Sequence, residues 1–431
     1  MDRAMPEPLP KRFRKEPMAL RRELLAKTVP GIGPEALGRD DGMIELADVM
    51  VESAVGYVAL PLGIATGFMI DGSAVDIPMA TEEPSVIAAA SYAAGIVRRG
   101  GGFNTRPGSP VTTGQLFIEH PDTDAADRLT AGERSLEAVA APVLASMERR
   151  GGGWRGVAVQ TLPATGVMRV DVHLDVRDAM GANLVNTVVE VLRPTVEAIS
   201  GGRVVMAILT NAAECRVATA SFTIPLALLS RAGVSGAEAA RRIVLANEIA
   251  REDSSRAVTH NKGIMNGVSA LAVATGNDTR AIEAAAHRYA ARDGAYRALT
   301  VYSLDDCTAG AVLRGELAIP VPLGTVGGAA GIHPTSVAAF ELLGKPGAAR
   351  LASIAASLGL AQNLAALHAL VTEGIQRGHM GLHADRLAWA AGARGEERPL
   401  VVAAMHEQRR YGIDVAAGAL ERLRAERAGN G

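Results

Sequence analysis

The sequence predicts an α+β protein, with a large, mainly helical, discontinuous domain, an inserted β-α-β-β-α-β small domain and a helical C-terminal segment. Three observations carry this. The 431 residues exceed what one compact core accommodates. Residues 110–216 alternate strand and helix patterns in the ferredoxin-like order. From residue 217 the chain returns to helical patterns, so the small domain interrupts a larger one.

Taken in order, residues 84–97 read as a helix, with proline in the first turn and a stop at Arg98-Arg99-Gly100-Gly101. Residues 115–120 form the small domain's first strand, and residues 125–150 are mostly helix, halted by Gly151-Gly152-Gly153. Residues 157–162 are the second strand. Over residues 168–176, Val170, Val172, Leu174 and Val176 face one way and Arg169, Asp171, His173 and Asp175 the other, which predicts a third strand with one wet face. Residues 182–199 are helical, and residues 203–210 give the fourth strand. Residues 237–251, 279–292 and 348–371 are the longest later helices. After Gly378 the patterns loosen and charges accumulate, as in a mobile C-terminal piece. The expected limits are 1–108 and 217–372 for the large domain, 109–216 for the small domain and 373–431 for the C-terminal segment.

Composition narrows the function. Apolar residues make up 48% with no low-complexity tract, so a packed core is expected. A net charge of −2 gives no reason to expect nucleic acid or an anionic membrane as partner. Two cysteines, Cys215 and Cys307, suit a reduced, cytoplasmic protein. Residues 1–15 are charged and proline-bearing, unlike a signal peptide, and no uninterrupted apolar run of about 20 residues predicts a membrane span.

Chemistry-bearing residues concentrate in five places. Thr81-Glu82-Glu83-Pro84-Ser85 sets two carboxylates before a helix start; they serve either as helix-end acids or as a general acid kept protonated by burial. Thr259-His260-Asn261-Lys262-Gly263-Ile264-Met265-Asn266-Gly267 surrounds one lysine with amides and glycines and lacks helical periodicity. That setting favours an active-site cation, stabilising an oxyanion or forming a Schiff base. Ala274-Thr275-Gly276-Asn277-Asp278 ends in an acid that is either an N-cap or a partner of Lys262. In Glu373-Gly374-Ile375-Gln376-Arg377-Gly378-His379-Met380-Gly381-Leu382-His383, the histidines are four apart. No glutamate adjoins the first and no third ligand is evident, so an acid histidine is favoured over a metal pair. Asp178-Ala179-Met180-Gly181-Ala182-Asn183 follows the alternating strand and opens a helix, which suits a phosphate group without the GxGxxG fingerprint.

Together and in this order, the five segments resemble those of 3-hydroxy-3-methylglutaryl-CoA reductases, most closely the bacterial class II, or degradative, group. The likeness spans residues 52 to 383. It implies interconversion of 3-hydroxy-3-methylglutaryl-CoA and mevalonate plus CoA, by two hydride transfers with NAD(H) or NADP(H) and no metal. It implies catalytic roles for Glu83, Lys262, Asp278 and His379, and a dinucleotide site at Asp178, Met180, Gly181, Ala182 and Asn183. Ser85, Asn211, Arg256, Asn266, Gln362 and Arg14 are the implied substrate contacts, with Arg256 as bidentate partner of a carboxylate. It further implies a homodimer with the site across its interface, and a C-terminal flap carrying His379. Two departures stand out. The interface motif ENVIG is here Glu52-Ser53-Ala54-Val55-Gly56. Where NAD-preferring relatives carry an acid, this chain has Leu144, close to Arg149 and Arg150, so NAD and NADP both stay open.

Two other readings compete. A non-catalytic acyl-CoA-binding protein of the same fold would not need all four catalytic residues. A histidine-based metal hydrolase would lose activity to chelators.

Overall fold

The computed structural model describes residues 9–10, 13, 16, 18–29, 43–51, 58–307 and 310–429. Helices α1 (Met18–Thr28) and α2 (Met43–Met50) precede a hairpin of β1 (Leu62–Ile70) and β2 (Ser73–Ala80). Asp71 and Gly72, at φ 51° and 76°, make its two-residue turn, the geometry that Asp-Gly favours. Helix α3 (Val86–Arg99) packs on β1 through Val86, Ala90, Ala93, Ala94 and Val97, one stripe at helical spacing. It starts after Pro84 rather than at it, because Ser85 takes a left-handed conformation.

A short strand, β3 (Asn104–Arg106), leads into the small domain. This comprises β4 (Val111–Glu119), α4 (Ala125–Ala131), α5 (Glu133–Glu148), β5 (Gly153–Thr161), β6 (Met168–Asp175), α6 (Ala182–Ser200) and β7 (Arg203–Leu209). Its sheet runs β5-β6-β4-β7 and is antiparallel throughout, which is the ferredoxin-like arrangement. Leu116, Val170, Val172, Leu174, Val185 and Val189 centre its core. Two expectations change here. The helix expected over 125–150 is two helices broken at Gly132, where a Cβ would sit 2.9 Å from the Arg128 carbonyl and 3.2 Å from Ile199 Cδ1. The expected wet face of β6 is polar but covered, with Asp171 and Asp175 buried. Gln115 and Arg169 donate to Asp171, while the Arg155 side chain and the Arg177 backbone N–H donate to Asp175. Such partners are what a buried carboxylate requires.

The chain then returns to the large domain with β8 (Val217–Pro225), α7 (Gly236–Glu252), α8 (Ser254–Ala274) and α9 (Thr279–Ala290). These are followed by β9 (Thr300–Cys307), β10 (Gly310–Pro320), α10 (Pro334–Leu342) and α11 (Ala348–Val371). The second sheet runs β3-β8-β10-β9, so strands from both sides of the small domain pair with one another. Helix α11 packs against α8, α3, β8 and β10 and is buried along most of its length. By length and composition it could cross a membrane, but here it is the centre of the large core.

Helices α12 (Ile375–Ala390), α13 (Glu397–Gln408) and α14 (Ile413–Gly429) close the chain. The loose patterns after Gly378 thus form a three-helix unit with its own core of Ala384, Ala388, Val401, Met405, Ala416 and Leu420.

Candidate active site

A cleft of about 1200 Å³ lies between α3, α8 and α11. Along α8, Arg256, His260, Gly263 and Asn266 line it at helical spacing, with Lys262 on its flank. Glu83 and Ser85 enter ahead of α3, and Gln362 enters from α11. Six residues singled out in the sequence therefore meet in one cleft.

The segment Thr259-His260-Asn261-Lys262-Gly263-Ile264-Met265-Asn266-Gly267, expected to be irregular, lies in the middle of the 21-residue α8. Its polar residues mask the periodicity because several of them are buried. Asn261 is fully buried, donating to the Arg297 carbonyl and accepting from the Leu299 N–H. Its Gly267 serves close approach rather than bending. A Cβ on Gly267 would stand 3.1 Å from Leu358, and one on Gly359 of α11 would stand 2.9 Å from Ile264. A Cβ on Gly263 would meet nothing within 4 Å, so this position widens the cleft beside Lys262.

His260 is almost fully buried, and burial with the nearby Arg256 charge holds its pKa down to about 3. Asp76, farther along the cleft wall, is pushed up by burial and accepts from the Leu9 N–H at 2.8 Å.

At the other end of the cleft, Arg231 pairs with Glu373 and lies 4.5 Å above the centre of the Tyr92 ring. His368 donates through Nε2 to the Leu229 carbonyl at 2.9 Å, which leaves Nδ1 to accept from the Tyr92 hydroxyl at 3.2 Å. These groups fix the root of α12, because Glu373 is followed by Gly374 at φ 83°. The backbone of His379 lies in the first turns of α12; its side chain lies outside the described residues, as do Arg14 and the stretch 52–56.

The remaining residues lie elsewhere in the single chain. Asp278 caps α9, accepting from the N–H groups of Arg280 and Ala281, and pairs with the Arg280 side chain. Asn211 sits in an exposed turn after β7. The turn from Asp178 to Gly181 joins β6 to α6, with Gly181 at φ 92° and no side chain capping the helix. Its N-terminal N–H groups are free of a side-chain cap and suit a phosphate. Asp178 accepts from the Ala348 N–H at 2.7 Å, tying the turn to the start of α11. Arg216, buried, donates to the carbonyls of Met180 at 3.1 Å and Leu323 at 2.6 Å. Burial lowers its pKa to about 10.

Leu144 is fully buried in the small domain's core, so this position cannot meet a ribose. The exposed groups beside the turn are mostly arginines: Arg177 donates to the Gly151 carbonyl, and Arg149, Arg150 and Arg155 lie around the same glycine loop together with the exposed Glu148.

Sequence reasoning missed His260, Tyr92, Arg231 and Arg216. Each acts through contacts far along the chain. For Arg216 the local signal was a lone arginine at a strand start, which looks like any surface cation.

The hydroxymethylglutaryl-coenzyme A reductase family model matches residues 17–384. The chain is 44% identical over 389 residues to the 3-hydroxy-3-methylglutaryl-coenzyme A reductase of Archaeoglobus fulgidus, covering 89% of this chain and 86% of that one. It is 31% identical to a probable enzyme of the same name from Borreliella burgdorferi, covering 88% and 87%. Among solved structures it resembles the Streptococcus pneumoniae reductase, with TM-score 0.80, 39% identity and coverage of 96% and 99%. A class II structure from that organism, bound to NADPH in open conformations, matches with TM-score 0.79 and 40% identity, covering 84% and 99%.

Proposed function

The chain belongs to the hydroxymethylglutaryl-coenzyme A reductase family, of class II type, and from that premise we propose how its residues carry the reaction. The protein interconverts 3-hydroxy-3-methylglutaryl-CoA and mevalonate plus CoA with a nicotinamide cofactor. The observation that supports the residue assignment is the meeting of Glu83, Lys262 and Arg256 in one cleft, although Glu83 and Lys262 lie far apart in sequence.

Lys262 stabilises the carbonyl oxygen of the thioester as it becomes negative, and Glu83 brings the proton that neutralises it. The resulting hemithioacetal breaks its C–S bond as its hydroxyl proton returns to Glu83, giving aldehyde and thiolate, and His379 protonates the thiolate. In the second reduction, Lys262 and Glu83 act on the aldehyde oxygen in the same way and leave a primary alcohol. Asp278 biases the proton balance of that pair. Arg256 takes the terminal carboxylate by bidentate hydrogen bonds, and Ser85, Asn211, Asn266, Gln362 and Arg14 complete the substrate and CoA contacts.

The turn of Asp178, Met180, Gly181, Ala182 and Asn183 fits a dinucleotide. Gly181 leaves a helix N-terminus open to the pyrophosphate, and a Cβ there would strike Val176 at 2.5 Å. Bound there, the cofactor supplies hydride. The arginines around Gly151 favour a nucleotide with a 2′-phosphate, NADP(H) over NAD(H).

Asp278 reaches the site from a second subunit, so the working unit is a homodimer. Exposed Leu245 and Ile249 on α7 and Val258 on α8 supply apolar surface for it. The domain limits fall at 108/109, 216/217 and 372/373, and the protein works in the cytoplasm without a membrane or nucleic-acid partner.

The test follows near-ultraviolet absorbance of reduced nicotinamide with purified protein, mevalonate and CoA, adding NAD in one cuvette and NADP in another. A rise that requires CoA, faster with NADP, is expected. No rise in either, with the reverse reaction also silent, would leave a non-catalytic acyl-CoA-binding protein.

A further inference from the structure

Ahead of α1, Leu9 lines the cleft and is tied to its wall by a directed bond. Strand β2 buries Val75 and Ile77 in the core, so Asp76 between them points the other way and lines the cleft. Strand β1 bulges opposite Asp76: the register steps from Ala65↔Ile77 to Phe68↔Val75, and Gly67 takes φ 88°. Asp76 Oδ2 accepts from the Leu9 N–H at 2.8 Å, a bond that spans 67 positions of the chain.

Apolar contacts seat the same segment. Leu9 and Phe13 are buried with Leu25 and Val29 against Ala338 and Leu342 of α10. Such contacts are non-directional and tolerate more than one register of the chain. A hydrogen bond to a carboxylate is directional, and it selects the Leu9 N–H. Two turns carry that choice onward. The Phe13 N–H donates to the Pro10 carbonyl at 2.8 Å, and the Glu16 N–H donates to the Phe13 carbonyl at 3.2 Å. Arg14 follows Phe13 directly in the sequence.

We propose that Asp76 is a positioning residue for the CoA thioester: by fixing the register of Leu9, Pro10 and Phe13 beside the cleft, it sets where Arg14 meets CoA. This rests on the reading of Arg14 as a CoA contact given above. Without the bond, the segment must be ordered as the thioester binds. The apparent affinity then falls in proportion to the fraction of molecules that hold the competent register. Free mevaldehyde carries no CoA, so its reduction does not draw on this segment.

The experiment measures steady-state reduction of 3-hydroxy-3-methylglutaryl-CoA and of free mevaldehyde at saturating nicotinamide cofactor. The proteins are the full-length wild type, Asp76→Ala, Asp76→Asn, Arg14→Ala and the Asp76→Ala/Arg14→Ala double variant. Asp76→Ala is expected to raise KM for the thioester by roughly tenfold, the effect of one charge-assisted hydrogen bond, with kcat little changed. KM for mevaldehyde should stay near the wild-type value. Asp76→Asn keeps an acceptor oxygen for Leu9 and should recover most of the loss. The double variant should bind the thioester no worse than Arg14→Ala, because Asp76 acts through Arg14. Equal KM rises for the two substrates would show a merely structural role and overturn the proposal. So would an unchanged thioester KM in Asp76→Ala, an Asn variant as impaired as the Ala one, or additive losses in the double variant. If Asp76→Ala does not fold, Leu9→Pro, which removes the donor instead of the acceptor, takes its place. A wild-type thioester KM in Arg14→Ala would instead overturn the CoA contact on which the proposal rests.

Discussion

His260 makes acid stability a quantitative test of the fold around the cleft. Its folded-state pKa, about 3, lies below the 6.5 of an unperturbed histidine. Between those values the unfolded chain binds more protons than the native one, so stability rises with pH across the window and is lost on acidification. At 1.36 kcal/mol per pH unit, this one side chain removes about 3 kcal/mol between pH 7 and pH 4. His368, also held down by burial, acts in the same direction, while Asp76, pushed up by burial, acts in the opposite one. Only the difference between wild type and a His260 variant isolates the term. His260→Phe removes the titration but strands Asn363 Nδ2, so at pH 7 the variant should be less stable by about 1–3 kcal/mol. By pH 4 that deficit should vanish or reverse. Urea midpoints and slopes at both values, at one fixed protein concentration, provide the measurement. Parallel stability curves for the two proteins would refute the reasoning, because they would mean that His260 is not a buried neutral group.

Five further substitutions have expected outcomes. Arg216→Met should raise KM for the nicotinamide cofactor by roughly tenfold through lost charged hydrogen bonds to Met180 and Leu323, with KM for the thioester little changed; equal rises in both would show general loosening. Gly181→Ala, at φ 92° and 2.5 Å from Val176, should cost about 1–3 kcal/mol and weaken cofactor binding; thermal melts and cofactor titration measure this. Glu373→Gln, which breaks the pair with Arg231 at the root of α12, should slow thioester reduction by roughly tenfold and spare reduction of free mevaldehyde; equal losses in the two assays would contradict a role in placing His379. Lys262→Ala should abolish both reductions, whereas His379→Gln should spare mevaldehyde; steady-state kinetics on the two substrates separates these cases.

Much of the fold was legible because its signals are local. The alternation of Val170, Val172 and Leu174 and the glycines that end helices gave the small domain's order, and the observed strand sequence agrees. What local signals could not give was what covers a polar residue. Asp171 and Asp175 alternate as a wet face should, yet Arg169 and Arg155 lie over them, and nothing in the spacing announces this. The misreading of α8 has a related cause. A helix buried on several sides against α11 needs no single apolar stripe, and its glycines and amides are chosen for contact and for the cleft. Leu144 shows a third limit: a position matched by resemblance does not say which way its helix faces, and this residue faces inward.

The way the two domains are tied together bears on how hydride and carbonyl are aligned. The turn proposed for the dinucleotide belongs to the small domain, but the groups that hold it come largely from outside. Asp178 caps the start of α11, the Thr325 N–H donates to the Asp178 carbonyl at 2.8 Å, and Arg216 joins Met180 to Leu323. A Cβ on Gly324 would lie 2.6 Å from the Met180 nitrogen, so the two segments touch backbone to backbone. Helix α11, which begins against Asp178, also carries Gln362 into the cleft and ends at the root of α12. One helix thus runs from the turn proposed for the cofactor, past the proposed substrate contact Gln362, to the segment that carries His379. A hydride donor and an acceptor carbon must meet within about half an ångström of their productive geometry. A shared helix sets that spacing without relying on the softer contact between two separately folded domains. On the proposed assignments, the polar anchors at both of its ends, Asp178 and Glu373, act as positioning groups.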